Sequence, residues 1–93
     1  MSAERAFLAA FEAHLGPVQV VKYRAIPWHS ATYSGAQHLL HIEAGDTANI
    51  KAFTRDIAEA EIALPRGFVA DVLVEPTDSS GRQIEIEVLT IDA

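Results

Sequence analysis

An α+β fold is predicted by two features of the sequence: one stretch occurs twice, and the apolar pattern runs helix, strand, strand in each half. Ser34-Gly35-Ala36-Gln37-His38-Leu39-Leu40-His41-Ile42 aligns with Ser80-Gly81-Arg82-Gln83-Ile84-Glu85-Ile86-Glu87-Val88, matching Ser, Gly and Gln and laying Leu40 on Ile86 and Ile42 on Val88. Pseudo-repeats of about 1–44 and 45–93 follow. A unit of that size cannot bury its own apolar face, so the two must share one sheet and one core. The expected architecture is a single domain over 1–93, in which two helix-strand-strand repeats form a four-stranded antiparallel sheet with two helices on one face.

The first helix is expected over 3–15, where Phe7, Ala10, Phe11 and His14 or Leu15 recur at steps of three and four. Gly16-Pro17 ends it, because glycine accepts a left-handed cap and proline cannot continue the hydrogen-bond ladder. Residues 18–26 are rich in β-branched side chains and read as a strand. Val18 and Val20 point one way and Val21, Tyr23 and Ala25 the other, so either both faces are covered or a bulge near Val20 shifts the phase. The second strand, 37–43, carries Leu40 and Ile42 on one face and Leu39, His41 and Glu43 on the other. Ala44-Gly45 breaks it, and Asp46 or Thr47 is expected to cap the second helix. That helix carries Ile50, Phe53, Ile57 and Leu64 inward, with Ala60 allowing close approach, and stops at Leu64-Pro65-Arg66-Gly67. Phe68, Ala70, Val72 and Val74 form the inner row of the third strand and Ile84, Ile86 and Val88 that of the fourth, joined by the polar turn 76–81.

Composition limits the function classes. No apolar run approaches the roughly 18 residues that cross a bilayer, and the start, Met1-Ser2-Ala3-Glu4-Arg5, is unlike a secretory signal, so a cytoplasmic protein is expected. The absence of cysteine excludes disulfides, thiolate zinc sites and thiol nucleophiles. A formal charge of −6 repels phosphate backbones, and Lys22 and Arg24 are the only closely spaced bases, too few for a nucleic-acid footprint.

Candidate ligand-binding residues gather in the loop 27–35 and the strand after it: Trp28, His29, Tyr33, His38 and His41. The loop could offer a stacking surface and hydrogen-bonding groups to a small ligand or peptide; equally, Trp28 could fold back to plug an end of the core and Tyr33 cover a sheet edge. His38 and His41 invite a metal reading, but positions three apart on a strand face opposite sides, so no metal site is assigned. His14 reads as a cap at the end of its helix. Ser30, Ser34, His29, His38 and Asp46 supply residue types of an acyl-transfer triad without the spacing that would join them. No phosphate-cradling glycine motif is present and no cofactor is expected.

The duplicated order resembles that of sugar phosphotransfer IIB domains and of homing-endonuclease folds. The former work through a phosphorylated cysteine, and this chain has none; the latter need acidic metal ligands at packed helix ends and a basic DNA surface. The likeness extends to architecture alone and carries no function.

The face of the sheet away from the helices is expected to carry Leu39, Val69, Leu73, Leu89 and Ile91, with Val21 and Tyr23 joining them if the first strand keeps its phase, among charged residues. So many large apolar side chains on a solvated face point to a non-enzymatic interaction module that self-associates there as a homodimer. The alternative is a small-ligand-binding protein or small enzyme built on the aromatic and histidine residues of 27–35 and the adjacent strand. Strand addition at an exposed edge is a third mode of partner binding.

Overall fold

The computed structural model describes residues 2–45, 48–77 and 82–92. Within them the order is α1 (Ala3–Leu15), β1 (Val18–His29), β2 (Ser34–Ala44), α2 (Ile50–Ile57), β3 (Phe68–Pro76) and β4 (Gln83–Ile91). The four strands form one antiparallel sheet in the order β1-β2-β4-β3, which makes the fold α+β. No helix among the described residues is long and apolar enough to cross a membrane.

Helix α1 begins where the Ser2 hydroxyl accepts from the Arg5 amide at 3.2 Å, and ends where Gly16, at φ 74°, donates its amide to the Glu12 carbonyl at 2.9 Å. His14 lies in its last turn with Nδ1 3.0 Å from the Ala10 carbonyl, a geometry that makes Nδ1 the donor. Phe7, Phe11 and Leu15 of α1 and Phe53 and Ile57 of α2 share one buried cluster with Leu40 and Ile42 of β2 and Ile84, Ile86 and Val88 of β4. Phe11 and Phe53 meet edge to face at 5.6 Å, joining the helices through their rings.

Helix α2 differs from expectation at both ends. Asp46 and Thr47 lie outside the described residues, and the cap is Asn49, whose side-chain oxygen accepts from the Ala52 amide at 3.0 Å. The helix stops at Ile57 rather than Leu64. Beyond it Ala60, Ile62 and Leu64 still pack on the core, but every second residue turns inward, the period of extended chain. Pro65 favours this, because it drives the residue before it out of the helical region.

Both edge strands change phase. In β1 the register slips between Val20 and Lys22, leaving Val21 as an exposed bulge and turning Tyr23 inward onto the core rather than outward. In β3 the slip falls between Val69 and Asp71. The extra residue, Ala70, reverses the expected facing of the strand start: Val69 packs on the core with Val72 and Val74, while Phe68 is 53% exposed. Most of the turn 76–81, with Ser80 and Gly81 of the aligned segment, lies outside the described residues.

Candidate functional site

Pairing across the sheet arranges the outer face, opposite the buried cluster, in rows. One row runs Lys22, His41, Glu85, Glu75 from β1 to β3, and the next Arg24, Leu39, Glu87, Leu73. Then come Ile26, Gln37, Leu89, Asp71, and last Trp28, Gly35, Ile91, Phe68. The first two rows line an open groove of about 220 Å³. The last two form an apolar end, at which Phe68 is exposed and Leu89, Ile91 and Trp28 are half-buried.

Charge on this face is divided by strand. The bases Lys22 and Arg24 stand on β1, and the acids Glu75, Glu85 and Glu87 on β3 and β4. Glu75 and Glu85 are direct cross-strand partners, a like-charge pair that weakens a sheet. Arg55 pairs with Asp56 at 2.7 Å, remote from this face in sequence. Polar neighbours tie the rows together instead: His41 Nε2 donates to Gln83 Oε1 at 2.6 Å, Gln83 Nε2 donates to Glu43 Oε2 at 2.6 Å, and Gln37 donates to Glu87.

The inner face holds a second polar group. His38 is buried, its ring stacked on Tyr23 at 6.0 Å and edge-on to Phe7 at 4.8 Å. The Tyr23 hydroxyl lies 2.8 Å from His38 Nδ1, and His38 Nε2 lies 3.1 Å from Thr90 Oγ1, which donates to the Ala36 carbonyl at 3.2 Å. Because the Thr90 proton is committed, Nε2 is the ring's donor and Nδ1 accepts from Tyr23. Burial pushes the His38 pKa down; burial first and the Glu4 charge second push the Tyr23 pKa up.

The five candidate ligand-binding residues are not brought together. His38 faces the core and His41 the groove, on opposite sides of β2, as their spacing requires. The long loop 27–35 is mostly strand: Pro27, Trp28 and His29 belong to β1, Ser34 and Gly35 to β2, and only 30–33 turn. Ser30 closes that turn by donating its amide to the Tyr33 carbonyl at 2.7 Å and accepting the Tyr33 amide on its hydroxyl at 2.9 Å. Tyr33 and His29 are exposed, and Tyr33 projects at 58% exposure. Trp28 does not plug the core; it lies on the outer face beside Gly35, with its buried Nε1 lacking a hydrogen-bond partner among the described residues. No group of three or more His, Asp or Glu among the described residues is arranged to hold a metal ion.

Of the five interface candidates, Leu39, Leu73, Leu89 and Ile91 lie on the outer face and Val69 turns inward. Sequence reasoning missed Phe68 there because nothing local marks Ala70 as a bulge. It missed Ile26 because the bulge at Val21 reverses its facing, and Trp28 because it ended β1 at Ile26. No family model, curated protein or solved structure matches this chain.

Proposed function

We propose that this chain is a non-enzymatic interaction module that self-associates through the outer face of its sheet. The observation that carries the reading is the set of large apolar side chains on that face, with Leu73 and Phe68 each 53% exposed. An antiparallel sheet whose second face meets only water normally alternates apolar-in with polar-out, and this one departs from that pattern over its last two rows.

The same reading takes the two halves as pseudo-repeats, with both helices covering the inner face and leaving the outer one to a partner. Its support is that the shift laying Leu40 on Ile86 also lays Phe7 on Phe53 and Phe11 on Ile57, all of them buried. The second strand of each half lies at the centre of the sheet and the first at an edge, as a two-fold relation between halves would have it.

Sedimentation velocity across roughly 5–200 µM, the range suited to the small interfaces of weak complexes, tests the proposal. A dimer is expected, with Leu73→Glu shifting the equilibrium toward monomer by at least tenfold. A strict monomer at the highest concentration removes the proposal.

A further inference from the structure

Resting on that self-association, we infer the identity and orientation of the partner: a second copy, stacked face to face about a two-fold axis parallel to the strands, with each β1 lying over the partner's β3. The argument comes from where the charges stand. Lys22 and Arg24 occupy one edge strand, and Glu75 the other, with Glu85 beside it on β4. Three strand spacings separate Lys22 from Glu75, about 14 Å, too far for an ion pair and beyond the ~8 Å screening length at physiological salt. Within one copy, therefore, Lys22 does not pair with Glu75, and Glu75 and Glu85 repel one another.

A two-fold along the strands reverses the order of strands without reversing the rows. Lys22 then stands over the partner's Glu75 and His41 over the partner's Glu85, while Arg24 reaches the carboxylates flanking the partner's Leu73. At the apolar end Trp28 meets the partner's Phe68. The first row then sets charge over counter-charge and the last sets apolar over apolar, while Leu39 faces the partner's Glu87 and Ile26 the partner's Asp71. The other two-fold that stacks the faces runs across the strands and lays β1 on β1 and β3 on β3. It also reverses the rows, so with the faces overlapped Lys22 lies over the partner's Trp28 and Glu75 over the partner's Phe68, which leaves both charges without a counter-charge and is disfavoured. Stacked sheets of this kind pack about 10 Å apart with strands about 30° from alignment, close enough for long Lys, Arg and Glu side chains to meet.

The area agrees with a small specific contact. Four strands at about 4.8 Å and four rows at about 6.7 Å give a face of roughly 500 Å² per copy. Twice that is at the low end of specific interfaces, so charge matching, rather than apolar area alone, must select the orientation.

Charge reversal tests it. Lys22, Arg24, Glu75 and Glu85 are all exposed, so substitution there leaves the monomer fold intact, which far-ultraviolet circular dichroism checks. Two double variants are made: Lys22→Glu with Arg24→Glu, and Glu75→Lys with Glu85→Lys. Each alone is expected to dimerise at least tenfold more weakly than the wild type. Mixed in equal amounts at 0.15 M salt they are expected to form a heterodimer, seen by native mass spectrometry, because every reversed base meets a reversed acid. The acid-to-lysine variant sharpens the result. It moves the acidic chain toward neutrality, so overall repulsion predicts stronger association where the inferred orientation predicts weaker.

Wild-type dimers that ignore both reversals, or a mixture with no more heterodimer than either variant's own self-association, overturn the orientation while leaving self-association standing. A wild type that is monomeric throughout overturns both.

Discussion

At His38 hydrogen bonding and burial act in the same direction. The ring donates from Nε2 to Thr90 and accepts from Tyr23 at Nδ1, so a second proton would land on the nitrogen that already receives one and force the Tyr23 hydroxyl to turn. Burial against Phe7 disfavours the cation independently, and the pKa is lowered from its ordinary value. The sign for stability follows from linkage. With the folded pKa below the unfolded value of about 6.5, the unfolded chain binds the extra proton first, so the contribution is complete above about pH 6.5 and is lost as pH falls toward the folded pKa. Urea unfolding of the wild type and of His38→Gln between pH 8 and pH 5 is expected to show a steeper loss in the wild type, by up to about 1.4 kcal/mol per pH unit. Parallel curves would mean that His38 carries no linkage. The facing of this residue was legible: two histidines three apart on a strand must part company. Its burial was not, because the stretch that supplies Tyr23 changes phase at Val21, and only the register places that hydroxyl against the ring.

The elements meet most tightly at the end of β4. A Cβ on Gly35 would lie 1.9 Å from the Thr90 carbonyl oxygen, and one on Gly67 2.2 Å from that of Ile91. Two different segments therefore approach neighbouring residues of one strand closer than any side chain permits. Gly16 makes the contrast: its φ is positive, but nothing lies within 4 Å of the Cβ it would gain. Gly16→Ala should cost about 1–2 kcal/mol, the strain of a left-handed alanine. Gly35→Ala should exceed about 4 kcal/mol, because backbone must move apart in the middle of the sheet. Denaturant titration checks this, and equal costs would defeat the close-approach account. The packing role of Gly35 was not legible, since the carbonyl it touches is 55 residues along the chain. Helix α2 teaches the opposite lesson. Ala58-Glu59-Ala60-Glu61 are strong helix formers, yet the chain leaves the helix after Ile57 and inserts Ala60, Ile62 and Leu64 in alternation. That alternation stood in the sequence beside the helical spacing, and tertiary packing chose between them.

For the molecule as a whole, the free edges and the outer face compete as places for a partner. The edges are blunted: β1 carries a bulge at Val21 and Pro27, and β3 a bulge at Ala70 and Pro76, each of which interrupts the row of amides that strand addition needs. The outer face carries no such obstruction and presents its apolar end intact. A domain of this size is only marginally stable alone, so a partner that binds only the folded state should raise its stability measurably. With copies at about 100 times the dissociation constant the gain is about 2.7 kcal/mol, on the order of 10 °C or more in melting temperature for a chain of this length. The melting temperature of the wild type is therefore expected to climb as concentration is raised from micromolar toward millimolar. Leu73→Glu replaces a half-exposed side chain, so its cost to the monomer should be under about 0.5 kcal/mol. At low concentration the two proteins should melt nearly together, and they should separate only as concentration increases. A wild-type melting temperature that stays level over that range would mean the face is complete without a partner, and a Leu73→Glu curve that rises in parallel would mean that association uses another surface.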